Sequence, residues 1–129
     1  MSSTLSVLLY SSDAAVRAHV RTAVGRRPAL DVPPVRFVEC ATLSAVLRTL
    51  ETVRIDVCVL DGEAVPVGGM GVCRQIKNEI FQCPPVLLLI GRPQDAWLAR
   101  WSHADAVVTL PPDPMEIAAA LAALLRALR

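Results

Sequence analysis

The sequence predicts an α/β fold in which a parallel sheet carries helices on both faces. Apolar runs of strand length alternate with helical patterns along the chain, and this alternation is typical of βαβ units. Two of the runs, residues 55–60 and Val86–Ile90, are apolar on both faces, as central parallel strands are. The 129 residues are 53% hydrophobic and 19% charged, a composition that suits one domain with a buried core.

The first βα unit begins with a strand predicted over Leu5–Tyr10, which is rich in leucine and valine. The helix after it carries Val16, Val20 and Val24 about one turn apart. Gly25 follows the last of these valines, and a glycine there is typical of a helix C-terminus.

The second unit follows a proline-bearing loop at residues 28–34. Its strand is predicted over Val35–Cys40, and Thr42 is placed to cap the next helix. The apolar positions of that helix are Leu43, Val46, Leu47 and Leu50.

The third unit is predicted to begin with a strand over residues 55–60 that ends at Asp61. A glycine-rich loop, residues 62–71, leads into the third helix. The apolar residues of this helix are Val72, Cys73, Ile76 and Ile80.

The last two units contain the strands Val86–Ile90 and Ala106–Thr109, separated by a short helix at about residues 94–102. Asp113 is predicted to cap the final helix, with Pro114 at its first position. Five strands and five helices in strict alternation predict a doubly wound, three-layer sandwich. Residues 1–129 are expected to form a single domain with a core from about residue 4 to residue 129, and no output domain is expected.

Composition excludes several classes of function. The net charge of +1 gives no electrostatic case for nucleic acid or an anionic membrane. No apolar run approaches the roughly 20 residues that span a bilayer, and no signal peptide precedes the first strand, so membrane insertion is not expected and a cytoplasmic location is. The four cysteines show no C-x-x-C spacing that would predict zinc; they are Cys40, Cys58, Cys73 and Cys83.

Polar residues follow the central strands at the point where ligands gather in an open parallel sheet. Asp61 is the most informative of them, because a carboxylate that ends an apolar central strand is costly unless it is solvated, paired or used. A solvated acid near a helix N-terminus is the simpler alternative.

The sequence around Asp61 resembles the receiver domain of bacterial response regulators. The resemblance rests on the run from Ile55 to Asp61, the Pro-Gly loop, the run from Val72 to Lys77, the strand after Pro85, Ala104-Asp105-Ala106, and Leu110-Pro111-Pro112-Asp113-Pro114. It covers the chain from about Thr4 to Arg129. It implies a flavodoxin-like sheet with strand order 2-1-3-4-5, and it implies that Asp61 occupies the position of the aspartate that a histidine kinase phosphorylates.

The chain departs from the family's pattern at most of the other site positions. Ser11 and Ser12 stand where an acidic pair holds Mg²⁺, and the loop between Asp61 and Pro66 is one residue longer than usual. The hydroxyl, lysine and aromatic residues that serve the phosphoryl group are replaced by Ile90, Leu110 and Val108. No cofactor is therefore expected, and Mg²⁺ only if the Asp61 site is competent. Asp13, Asp61 and Glu63 are weak candidates for its ligands.

Two features predict a partner face, which in receivers lies on the fourth helix, the fifth strand and the fifth helix. Trp97 and Trp101 are four residues apart, and tryptophan is enriched at binding hot spots. Burial is expected for Trp97 and exposure for Trp101. The last helix has no polar residue from Ile117 to Leu125, so it is expected to expose alanine and leucine, including Leu121 and Leu125. The alternative is that its alanines form a harmless outer face.

These observations predict an atypical single-domain response regulator in two-component signalling. It is expected to act through contacts with proteins, which include a histidine kinase, a larger complex or a second copy. A phosphorylation-independent adaptor is the main alternative, and a small flavodoxin-like binder of nucleotide or flavin is a weaker one, since only Ser11 and Ser12 favour it. No enzymatic activity is expected.

Overall fold

The computed structural model describes residues 4–128. Five parallel strands form one sheet in the order β2-β1-β3-β4-β5, which confirms the predicted topology. The strands are β1 (Leu5–Tyr10), β2 (Val35–Cys40), β3 (Val57–Asp61), β4 (Val86–Ile90) and β5 (Ala106–Thr109). The helices within those residues are α1 (Ala14–Val24), α2 (Leu43–Thr52), α3 (Gly69–Glu79), α4 (Ala96–Trp101) and α5 (Pro114–Arg126), and a 3₁₀ turn, Pro93–Asp95, precedes α4.

The core has two halves, one on each face of the sheet, because alternate residues of a strand point to opposite faces. On one face, Val7, Leu9, Val59 and Leu89 pack against α1 and α5; on the other, Leu8, Leu60, Leu88 and Ile90 pack against α2, α3 and α4. Both faces are therefore covered, and the three-layer prediction is confirmed.

Side-chain caps start α2 and α5 at the predicted residues. The Thr42 hydroxyl accepts a hydrogen bond from the Ala45 N–H at 3.1 Å. One oxygen of Asp113 accepts from the Met115 and Glu116 N–H groups at 2.8 and 3.2 Å. Such caps satisfy N–H groups that have no partner within the helix.

The third strand lies two residues later than residues 55–60 at its start and one later at its end. Asp56 does not join the regular ladder: its carboxylate accepts the Ser6 N–H at 2.8 Å, and its own N–H donates to the Ser6 carbonyl at 2.8 Å. At the other end Asp61 is itself a strand residue, paired with Leu89. The following loop is shorter than predicted, because α3 already begins at Gly69.

Trp97 is 59% exposed, so the expectation of its burial is wrong. The fourth helix has six residues, and Ala99 is the buried one among them. A helix this short covers the sheet with one narrow face, and Trp97 lies outside that face.

Leu121 and Leu125 are 0% and 2% exposed, so the expectation that they belong to an exposed partner face is wrong. Together with Ile117 they are spaced by four residues on the face of α5 that packs against the sheet. The outer face of α5 carries alanines instead, Ala119 and Ala123 among them.

Within residues 4–128, none of the helices combines the length and the apolar character that crossing a membrane requires.

Candidate functional site

The edge of the sheet formed by the carboxyl ends of β1 and β3 brings Ser11 next to Asp61. These strands are neighbours, and Tyr10 pairs with Leu60, so the residues that follow meet across the ladder. Both side chains are buried, Ser11 at 0% and Asp61 at 2% exposure. A carboxylate buried to this degree needs polar partners.

Both oxygens of the Asp61 carboxylate have partners. The Ser11 hydroxyl donates to Oδ2 at 2.7 Å, and the Glu63 backbone N–H donates to Oδ1 at 2.8 Å. The Ser11 oxygen also accepts the Asp13 N–H at 3.0 Å, which fixes its orientation. The carboxylate is thus held by the chain's own donors.

The three predicted metal-ligand candidates do not converge. Asp13 caps α1, where its Oδ1 accepts the Ala15 N–H at 2.8 Å. Glu63 extends over Gly91, and a Cβ atom there would lie 2.2 Å from Glu63 Oε1. No cluster of three or more acids, histidines or cysteines suited to a metal occurs among residues 4–128.

The metal that receiver domains generally use for phosphorylation is Mg²⁺. Mg²⁺ needs near-ideal octahedral coordination by oxygens and is usually held by one or two free carboxylates. Here the Asp61 carboxylate already accepts two hydrogen bonds, and its serine neighbour contributes a hydroxyl directed at it.

Three positions are apolar where receivers carry groups that serve a phosphoryl group, although one cation lies near this edge: the Arg17 guanidinium donates to the Ser11 carbonyl at 2.6 Å. Ile90 and Val108 are buried at 2% and 1% exposure, and Leu110 packs against the core. The chain's single lysine, Lys77, lies at the opposite edge of the sheet, where it forms an ion pair with Asp105 at 2.7 Å.

Two hydroxyl groups at this edge have roles that the sequence did not predict. The Ser12 hydroxyl accepts the Val65 N–H at 3.0 Å, and the Tyr10 hydroxyl donates to the Val67 carbonyl. A tyrosine at the end of a buried strand is a signal for the second contact, since a buried phenol usually finds a partner. Ser11 and Ser12 were the residues that favoured a flavin-phosphate site, and both of their hydroxyl groups form hydrogen bonds within the protein instead.

One cysteine adjoins this site through its backbone, since the Cys40 carbonyl accepts the Ser11 N–H at 3.1 Å. Burial raises the pKa of all four thiols, and Cys58, which is fully buried, is affected most. A raised pKa leaves little thiolate at neutral pH, and the thiolate is the reactive form.

A second surface feature lies on α4 and β5. Trp97, Trp101 and Val107 are 59%, 49% and 38% exposed, and we call these three residues the tryptophan patch. The guanidinium of Arg74 lies 4.7 Å from the ring centre of Trp101, and it donates to the Trp101 carbonyl at 2.6 Å. The stacked arginine holds one ring of the patch in place.

The fold and the carboxylate at the end of β3 define the class of protein: a receiver domain. Among solved structures, the Francisella response regulator 1452 receiver domain superposes with a TM-score of 0.81 at 16% identity over 98% of this chain and 100% of that one. The chemotaxis response regulator CheY4 of Vibrio cholerae superposes with a TM-score of 0.79 at 16% identity over 95% and 100%. The receiver domain of DrrB, activated with BeF3, gives 0.77 at 20% identity over 96% and 99%.

Two curated sequences, each named an uncharacterised response regulatory protein, come from the CDC 1551 and H37Rv strains of Mycobacterium tuberculosis. Each is 45% identical to this chain over 126 residues, which is 98% of this chain and 95% of the relative. No family model matches the chain. The chain belongs to the response regulators of two-component signalling.

Proposed function

We propose that this protein is an atypical response regulator that signals through protein contacts and accepts a phosphoryl group at Asp61 weakly or not at all. The observation that carries the proposal is the Asp61 carboxylate, 2% exposed, with both oxygens occupied by the Ser11 hydroxyl and the Glu63 N–H. A receiver with this closed site differs from one whose carboxylates are free to bind a cation.

The physical reason for weak or absent phosphorylation is the negative charge of the phosphoryl group, which this site does little to neutralise. Phosphoryl transfer depends on positioning and on neutralising the oxygens of the phosphoryl group, and a divalent cation supplies much of both. A phosphate on Asp61 would add roughly −1.5 to −2 charge at an edge lined by Ile90 and Leu110. Neither side chain can neutralise that charge or donate a hydrogen bond to it.

We propose a single-domain, cytoplasmic protein without enzymatic or nucleic-acid-binding activity. Its curated relatives have nearly the same length, since the chain covers 95% of each. The net charge of +1 favours protein partners over nucleic acid.

The tryptophan patch is the surface that we propose for contact with a histidine kinase, a larger complex or a second copy. Tryptophan side chains are frequent anchors of interfaces because they bury a large area at little conformational cost. The patch replaces the face that included Leu121 and Leu125, whose side chains belong to the core.

A constitutive adaptor, in which phosphorylation plays no part, is the second candidate. The Ser11–Asp61 hydrogen bond favours it, because it satisfies the carboxylate without metal or phosphate.

Intact-mass spectrometry after incubation with a small phosphodonor and Mg²⁺ tests the proposal. We expect little or no added phosphate on the wild type, and none on Asp61→Asn. Glu51→Gln is the matched control, since Glu51 is an exposed acid of α2 with no role at this edge. Rapid, Mg²⁺-dependent uptake that Asp61→Asn abolishes and Glu51→Gln leaves intact would overturn it.

A further inference from the structure

The loop between β3 and α3, residues 62–68, which we call the acceptor loop, closes on itself around Asp61. Near its start, the Ala64 N–H donates to the Asp61 carbonyl at 3.2 Å. At its end the chain returns so closely that a Cβ atom on Gly69 would lie 2.7 Å from the same carbonyl oxygen. The glycine allows this approach, which brings both ends of the loop to one residue.

The tip of the acceptor loop has little buried surface to hold it. Val65 is 69% exposed, and Pro66 is exposed and has no N–H to donate. On either side of the tip, Ala64 is 5% exposed and Val67 packs against the core, so apolar burial holds these flanking residues but not Val65 and Pro66 themselves.

Two hydrogen bonds from the end of β1 do hold the tip. The Ser12 hydroxyl accepts the Val65 N–H at 3.0 Å, and the Tyr10 hydroxyl donates to the Val67 carbonyl. Each joins residues more than fifty positions apart in the chain. They tie the loop across the sheet edge to the strand that also supplies Ser11.

Closure of the acceptor loop is linked to the hydrogen bonds that the Asp61 carboxylate accepts. The loop's own Glu63 N–H donates to Asp61 Oδ1, and the residue between the two tethering side chains, Ser11, donates to Oδ2. Movement of the tip away from β1 would disturb a segment that contacts the carboxylate directly.

We infer that Tyr10 and Ser12 are positioning residues that hold the acceptor loop closed and thereby restrict access of reagents to the Asp61 carboxylate. The inference rests on the proposed function only in taking Asp61 as the phosphoacceptor-equivalent residue. It concerns access to the site, and not whether a phosphoryl group is ever transferred.

Carboxyl labelling tests access without metal or phosphodonor. The folded protein is treated with a water-soluble carbodiimide and an amine, and the labelling rate at Asp61 is measured by tandem mass spectrometry relative to exposed Asp13. Loss of one hydrogen bond corresponds to about fivefold in an opening equilibrium. We expect Ser12→Ala and Tyr10→Phe each to raise the Asp61 rate about fivefold and the double variant to raise it about twenty-fivefold.

Matched variants separate positioning from general destabilisation. Ser44→Ala removes an exposed serine hydroxyl on α2 and should leave the Asp61 rate unchanged. Ser12→Thr keeps the accepting oxygen and should restore the wild-type rate. The rate of hydrogen exchange at the Val65 amide should rank these variants in the same order as the Asp61 labelling rate.

An unchanged Asp61 rate in a folded double variant would overturn the inference, and so would an equal rise in Ser44→Ala. If the double variant does not fold, the inference is tested by comparing the Asp61 labelling rates of Ser12→Ala and Ser12→Thr, and equal rates in these two variants would overturn it. Phosphate uptake by the wild type would contradict the proposed function and leave this inference standing, so the two failures are distinguishable.

Discussion

At the scale of single residues, hydroxyl groups at the end of β1 occupy the place where receivers carry acids. Tyr10, Ser11 and Ser12 contact the acceptor loop or Asp61. That Ser11 and Ser12 replace an acidic pair is read directly from the sequence. The sequence does not predict what the hydroxyls contact, because a hydroxyl both donates and accepts and its partner depends on the path of a loop.

Tyr10 provides a prediction at this scale, since it is the only tyrosine in the chain. Burial, and secondarily the nearby Asp61 carboxylate, raise its pKa above the usual value of 10.0. We expect an ultraviolet titration of the phenol in the folded protein to have its midpoint above that of the unfolded chain.

The raised pKa of Tyr10 makes the free energy of unfolding depend on pH. The folded state holds the Tyr10 proton more tightly than the unfolded chain does. The contribution of Tyr10 to the free energy of unfolding is therefore fully present below the pKa that Tyr10 has in the unfolded chain, and it is lost as pH rises through the pKa of Tyr10 in the folded protein. Denaturant unfolding should therefore show a fall in stability above about pH 10. The fall should be smaller in Tyr10→Phe, and an equal fall in both proteins would contradict this assignment.

At the scale of elements, caps and strands are predicted well, and the outward faces of helices are not. Thr42 and Asp113 cap as predicted because an acceptor before a helix has a local partner. In α5 no polar residue marks the outer face from Ile117 to Leu125, so the sequence leaves open which side packs. The spacing of its large side chains indicates the face that packs against the sheet, since Leu121 and Leu125 are four residues apart and both are buried.

The cap of α5 gives the prediction for this scale. Asp113→Ala should destabilise the protein by about 1 kcal/mol, because two N–H groups lose their acceptor. Asp113→Asn keeps an acceptor oxygen and should cost much less. Urea unfolding measures both, and equal losses in the two variants would show that the cap is not the cause.

At the scale of the whole molecule, the alternation of strands and helices was sufficient to predict the architecture and the strand order followed from the family resemblance. The sheet then determines which residues meet, because β1 and β3 are neighbours and end at one edge. The chemistry of the site depends on the side chains at that edge and on the path of the acceptor loop. The topology of the sheet alone specifies neither of them.

The tryptophan patch gives a prediction for the whole molecule. If the patch joins two copies, Trp97→Ala should weaken self-association at least about tenfold in sedimentation equilibrium. Phe81→Ala is the control, since Phe81 is an exposed aromatic residue, at 89%, outside the patch. A monomeric wild type at every concentration would exclude the homodimer and leave other protein partners for the patch.

The most direct measurement is a Mg²⁺ titration followed by the backbone amide resonances of Ser11, Asp61 and Glu63. With Asp61 already bonded to Ser11 and Glu63, we predict no saturable shift at these amides. A saturable shift confined to them, and absent in Asp61→Asn, would contradict the account, because it would mean that the edge binds the cation despite its serines.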